Sequence, residues 1–482
     1  MSDQKYWELR AEWLKLRGYL FDPGTGLPAL PAVIEDVRRR LEDGEPIGLI
    51  YLDLSSGGGM EAICGWQTYD RLLQQLTATL FEFREGALTP RDAVALTAVR
   101  GDEFLLFVGP RPNQALDERR LTRLRERLVD DLEGRLRLEL DSQVPQGIVV
   151  ACGSAMVRTD PTVRIERSIY QSIDEVRSIC RRQRERRRGM HLNELRRILA
   201  SRDVLIRYQP IVRLEDGLIH GFEALSSGPS GDIFHNPEML FSFAEETEQI
   251  VELERLCRQQ AIRGAALLHP QQKLFINCSA HGFVDPELVS PAILDEVRAA
   301  GRDPRDIVFE VTERVAITEW QEFRAIVAKL RGLGFSIAID DMGAGYSSLQ
   351  AVAEVEPDYL KFDISLVRDV HLSPIKRNLL ETLVVLADKI RARAIAEGVE
   401  SVEEFKTLRA MGVTFAQGFY FAMPEILAGP APLRLRERFE AAAAGEAARP
   451  AGAPAGAEPA DPADPVGGVA GAAGSAGPEV PS

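Results

Sequence analysis

Acidic and amide residues recur at the ends of short apolar runs in the second half of the chain. "LFIN" closes on Asn277, "IVFEVTE" carries Glu310 and Glu313, "SIAIDD" closes on Asp340 and Asp341, "YLKFD" carries Lys361, "AIAEGVE" carries Glu397, and "FAQGFYF" carries Gln417. Any one of these also reads as an ordinary strand-end polar group, bonded to a loop or capping the next helix. As a set they point to a cation site, because Asp340 and Asp341 beside Glu310 would repel and raise one another's pKa unless a positive charge held them. Oxygen ligands without a convincing histidine favour a hard ion, Mg²⁺ or Mn²⁺, over zinc. Two adjacent aspartates can bridge two ions ~3.5–4 Å apart, the spacing used for in-line displacement at phosphorus.

The elements that must position these groups are strands alternating with helices. Between the apolar runs lie helical patterns such as "EWQEFRAIVAKLRGLG", "IKRNLLETLVVLADKIRAR" and "SVEEFKTLRAMG". Such alternation implies parallel strands, and six or more units around one sheet suggest a β/α (TIM-like) barrel whose strand C-termini converge on one mouth. The fold class is therefore α/β, with this barrel preceded by a mixed α/β region and followed by a disordered tail.

The whole chain sets the frame. At 482 residues it exceeds one domain, and 45% hydrophobic with 27% charged residues suits a globular protein. We expect a first domain over 1–180 opening with the amphipathic "YWELRAEWLKLRGYL", a basic linker helix over 181–194, the barrel over 195–440 and the Ala/Gly/Pro-rich tail over 441–482. A net charge of −15 argues against a nucleic-acid polymer as partner. No apolar run approaches the ~20 residues needed to cross a bilayer, and "MSDQKYWELR" lacks a signal-peptide core, so membrane insertion is not expected and the expected location is the cytoplasm. Five scattered cysteines and six dispersed histidines show no zinc spacing.

"YQPIV" from Tyr208, "GFEAL" from Gly221, "FINCS", "FEVTE", "IDDMGAGYSSL", "LKFD", "AEGVE" and "QGFYFAMP" occur in the order and approximate spacing of the EAL-domain cyclic di-GMP phosphodiesterases, which this region resembles. The resemblance implies Glu223, Asn277, Glu310 and Asp340 as ligands of one metal, with Asp340 bridging to a second ion also held by Asp341. It implies Glu397 and Lys361 as the residues that hold and activate the attacking water. Gln209, Leu225, Gln417 and Pro424 resemble substrate contacts, and Glu313 resembles a residue that steadies the Asp-Asp loop. The implied reaction opens cyclic di-GMP to linear pGpG with two Mg²⁺ or Mn²⁺ ions, in what the family suggests is a homodimer. One departure matters most: Ser227 stands in "EALSSGP" where the family usually has an arginine able to grip a phosphate with a fork of donors.

The first region resembles, weakly and in order, the GGDEF-domain diguanylate cyclases through "DPGTGLP", "LIYLDL", "GWQTYD" and "VRGDEFLLF". That resemblance makes Asp53, Asp70, Asp102 and Glu103 a candidate nucleotide site. Arg100 replaces the first signature glycine, Glu61 an expected asparagine and "SSGGGMEA" a lysine-bearing segment, so we read a degenerate cyclase, regulatory, with GTP as a candidate ligand. The competing reading of the whole chain is a receptor that binds cyclic di-GMP without cleaving it and acts through a protein partner.

Overall fold

A computed structural model describes residues 17–53, 66–112, 114–139, 151–283, 285–312, 320–343 and 348–435. Glu313, Glu61, the "SSGGGMEA" segment, most of the N-terminal amphipathic stretch and the Ala/Gly/Pro-rich tail lie outside the described residues.

The first half is built on four antiparallel strands, β1 (Gly48–Asp53), β2 (Ala93–Leu96), β3 (Glu103–Val108) and β4 (Ala151–Met156), in the order β2-β3-β1-β4. Every residue of β1 is buried, because helices cover both faces. Ile50 and Leu52 face α2 (Trp66–Ala87) and α3 (Glu118–Glu139) through Leu76, Leu80 and Leu128. Leu49 and Tyr51, on the opposite side of the pleat, face α1 (Leu30–Glu42) and α4 (Ile165–Ser201) through Val37, Ile169 and Val176. The turn "DPGTG" is fixed by Asp22, whose carboxylate accepts from the Thr25 amide at 2.8 Å and the Arg100 amide at 2.9 Å. Arg100 itself has φ +62°, a left-handed backbone that glycine would adopt without steric cost.

The expected linker helix is part of something longer. α4 runs 37 residues without interruption, from the first sheet to Ser201. Its start packs Ile169, Ile173, Val176 and Cys180 against the four-stranded sheet, and its last turns bury Leu195 and Ile198 against Phe234, Leu240 and Leu253 beside the barrel.

The second half closes into an eight-stranded barrel of β5 (Leu205–Arg213), β6 (Ile219–Ser227), β7 (Lys273–Cys278), β8 (Ile307–Thr312), β9 (Ser336–Met342), β10 (Tyr359–Phe362), β11 (Arg393–Ala396) and β12 (Phe415–Ala416). The barrel agrees with the expected architecture, but the strands are not all parallel: β5 runs antiparallel to both β6 and β12. The cause is local. "LEDGL" between β5 and β6 is too short for a crossover and turns on Gly217 at φ +72°, so the two strands form a hairpin. Consequently the N-terminal end of β5 shares a mouth with the C-terminal ends of the other strands.

Candidate active site

The floor of the barrel is an apolar layer to which seven strands each give one residue: Ile211, Phe275, Val308, Ala338, Tyr359, Ile395 and Phe415. Side chains on a strand return to the same face every second residue. One step toward the mouth therefore brings Gln209, Asn277, Glu310, Asp340, Lys361, Glu397 and Gln417 inward together, and β6 adds Glu223 opposite Gln209. Period-two alternation thus converts scattered strand-end residues into one polar layer.

Asp340 and Asp341 would ordinarily point to opposite faces. Between β9 and β10, however, Leu360 pairs with Ile339 and Phe362 with Met342, so both aspartates oppose the single residue Lys361. This is a β-bulge, and Asp341 absorbs it with a left-handed φ of +58°. As a result Asp340, Asp341 and Glu397 offer carboxylate oxygens within 4.8 Å of one another.

Lys361 lies at the centre, wholly buried. Its Nζ is 2.7 Å from Glu397 Oε1, 2.8 Å from Glu310 Oε1, 3.1 Å from Asp340 Oδ1 and 3.4 Å from Glu223 Oε2. Burial opposes its charge, yet Asp340 and the glutamates outweigh that and raise its pKa well above the usual lysine value. The carboxylates divide. Burial and the Glu223 charge push Glu310 well up, and burial likewise pushes up Glu397. Glu223 is also buried, but the Lys361 ammonium and amide donors from Gln417 at 2.7 Å and Asn277 at 2.8 Å hold it low. One ammonium cannot neutralise them all: Glu223, Glu310, Asp340, Asp341 and Glu397 leave four negative charges in excess when ionised.

Two divalent cations would balance that excess, and the donor set suits them. Glu310 is wholly buried, and the Lys361 ammonium beside Oε1 is its one neighbouring donor among the described residues, which leaves lone pairs that a bound cation would satisfy. All candidate donors are oxygens, as Mg²⁺, Mn²⁺ and related hard ions require. Asn277 is exposed and Asp341 half-buried, so the layer opens to solvent at the mouth.

The remaining sequence-derived residues fall into two groups. Gln209 accepts from Gln417 at 2.8 Å and donates to the Ala422 carbonyl at 3.1 Å, which puts the segment ending at Pro424 beside β5. Leu225 lies on β6 opposite Arg207. In the four-stranded sheet, Asp53 and Glu103 are register partners on β1 and β3, but both face arginines of α4, Arg184 at 2.5 Å and Arg177 at 2.8 Å. Asp102 is 3.4 Å from the Tyr69 hydroxyl, and Asp70 is exposed on α2. The structure also brings in Arg207, which sequence reasoning passed over. It precedes Gln209 by two residues, and that same-face spacing was its only signal.

Residues 192–424 match the family described as EAL domain, and this part of the chain belongs to that family. Beyond it, the chain is similar to cyclic di-GMP phosphodiesterase PdeR of Escherichia coli, 28% identical over 84% of this chain and 61% of that protein. It is also similar to the bifunctional diguanylate cyclase/cyclic di-GMP phosphodiesterase MucR of Pseudomonas aeruginosa, 24% identical over 80% of this chain and 57% of that one. A solved standalone EAL protein from Vibrio cholerae in a c-di-GMP bound form is 30% identical over 49% of this chain and 98% of that chain, with a TM-score of 0.43. The chain spans from 51% to 61% of the length of the first curated relatives it matches. Among the described residues no helix is long and apolar enough to cross a membrane.

Proposed function

We propose that the barrel hydrolyses cyclic di-GMP to linear pGpG with two divalent cations, Mg²⁺ or Mn²⁺. The observation that carries this reading is the convergence of four carboxylates on one buried lysine, with Asp341 beside Asp340 and Glu397, so that a single ammonium faces five acids. Glu223, Asn277, Glu310, Asp340 and Asp341 would hold the ions, which when bound acidify water and neutralise phosphoryl oxygens. Glu397, whose pKa burial raises so that its ionised carboxylate is the stronger base, is placed to take the proton of the attacking water. Lys361 keeps a positive charge beside it as the phosphodiester opens and the 3′-oxygen leaves. The amide chain from Gln209 through Gln417 to Glu223 fixes the orientation of that carboxylate, and Leu225 and Pro424 border the mouth where the dinucleotide would lie.

For the first domain we propose a regulatory role within residues 1–180, ahead of the 181–194 basic stretch, the 195–440 barrel and the 441–482 tail. Its similarity to cyclases lies in the sequence motifs. The ion pairs of Asp53 and Glu103 with α4 favour holding that helix over holding a nucleotide's metal. A metal carried by GTP would have to displace Arg184 from Asp53. A homodimer remains the proposal carried by the family.

Purified protein incubated with cyclic di-GMP and Mg²⁺ or Mn²⁺, with and without GTP, and analysed by nucleotide chromatography tests the reading. Formation of pGpG is expected. Binding without turnover would establish the second reading, a receptor, which Ser227 in place of the family's arginine favours.

A further inference from the structure

One level above the carboxylate layer, toward solvent, β5 places Arg207 on the inward face, two residues from Gln209. The residues two further along the other strands from the polar layer are neutral or acidic, so Arg207 is the cation of this level. Its Nη1 donates to Ser227 Oγ at 2.9 Å, and its Nη2 lies 3.4 Å from His235 Nε2. His235 Nδ1 is 3.3 Å from the Gly228 carbonyl, so neither side chain that Arg207 touches is a carboxylate. Among the described residues no carboxylate lies within ion-pair distance of Arg207, in a mouth otherwise dominated by acids. The guanidinium is half-buried, held in one orientation, and has donors left over from its five.

A positive charge aimed into a substrate cleft without a carboxylate partner is arranged for an anionic ligand. We infer that Arg207 grips a phosphate of the dinucleotide, from the strand beside the one on which Ser227 leaves that position vacant. The two strands make this exchange possible: Leu205 is the register partner of Ser227, and Arg207 reaches two residues along the hairpin to touch its hydroxyl. The inference rests on the phosphodiesterase reading and adds a substrate-binding residue to it.

The test compares wild type, Arg207→Ala, Arg207→Lys and the double variant Arg207→Ala/Ser227→Arg. We would measure KM and kcat for cyclic di-GMP hydrolysis, calorimetric Kd with Ca²⁺ replacing the active ion, and Tm. Arg207→Ala is expected to raise KM and Kd about 10–100-fold, the span for losing a charge-assisted hydrogen-bonded contact, with kcat within about threefold. Arg207→Lys should recover only part, since an ammonium is not a planar fork. The double variant should restore affinity, because a guanidinium then returns to the same mouth from β6. Unchanged KM and Kd in Arg207→Ala, with wild type active, would overturn the inference alone. An affinity loss that tracks a fall in Tm and is not restored by the double variant would also overturn it, showing a structural role. If wild type neither binds nor cleaves cyclic di-GMP, the phosphodiesterase reading fails and this inference falls with it.

Discussion

Replacing Glu310 with glutamine should make the metal-free protein more stable while removing its activity. Glu310 is wholly buried, shares the Lys361 ammonium with three other carboxylates, and is pushed well above 4.5 by burial and the Glu223 charge. A folded state that holds a proton more tightly than the unfolded chain loses stability as pH rises from the unfolded pKa toward the folded one. At pH 7.5 that loss is bounded at about 4 kcal/mol, three pH units at ~1.4 kcal/mol each. Glutamine keeps the shape and removes the titration, and Lys361 retains Glu223, Asp340 and Glu397 as partners. We expect a gain of roughly 2 kcal/mol, or about 4–8 °C in Tm for a domain of this size. The assay is thermal unfolding in EDTA from pH 5.5 to 8. Wild type should lose Tm toward the alkaline end, with Glu397 contributing in the same sense, and the variant should lose less. Glu223, held low, works oppositely and costs stability only as pH falls below 4.5. Turnover should drop by roughly 10²–10³-fold. A variant less stable than wild type in EDTA would refute the reasoning, showing that the Glu310–Lys361 pair stabilises more than the crowding of carboxylates destabilises.

Asp340→Ala should abolish pGpG formation, and unchanged turnover by chromatography would sink its assignment as the bridging ligand. Lys361→Met leaves the carboxylates uncompensated and should cost ~3–5 kcal/mol in EDTA, with Mn²⁺ recovering part of it; a Tm indifferent to Mn²⁺ would contradict this. Arg184→Ala removes the 2.5 Å ion pair to Asp53 and should speed hydrogen exchange in α4 near residue 184 without altering the Mn²⁺-induced rise in Tm. Exchange equal to wild type would mean that the pair does not secure the helix.

The sequence made the polar layer legible because β7 to β12 each repeat the same step, an apolar floor residue followed two positions later by a carboxylate, amide or lysine. It did not reveal why two adjacent aspartates can serve one site. That depends on the bulge opposite Lys361, a register fact that exists only once β9 and β10 pair. The antiparallel β5 was hidden by the dominant strand-helix rhythm, although "LEDGL" carried the turn signal. Arg207 was invisible for a related reason: Ser227 drew notice as a missing cation, but its neighbour in space lies 20 residues upstream, across a hairpin. The basic run from Arg181 to Arg188 suggested a boundary because it is polar all round. It is the exposed middle of α4, which Ile169, Ile173, Val176 and Cys180 anchor on one side and Leu195 and Ile198 on the other.

That helix behaves as a drive shaft. Thirty-seven residues at about 1.5 Å each give a rod of about 55 Å, gripped by a hydrophobic socket at either end and tied between them by the ion pairs of Arg184 with Asp53 and Arg188 with Glu246. A rod so held resists bending and passes on rotation. Each added residue would turn one socket by about 100° against the other, whereas seven would bring them back nearly into phase. The spacing between the two halves of this protein is therefore an angular quantity before it is a length, and insertions in the arginine-rich middle should be tolerated or not according to phase.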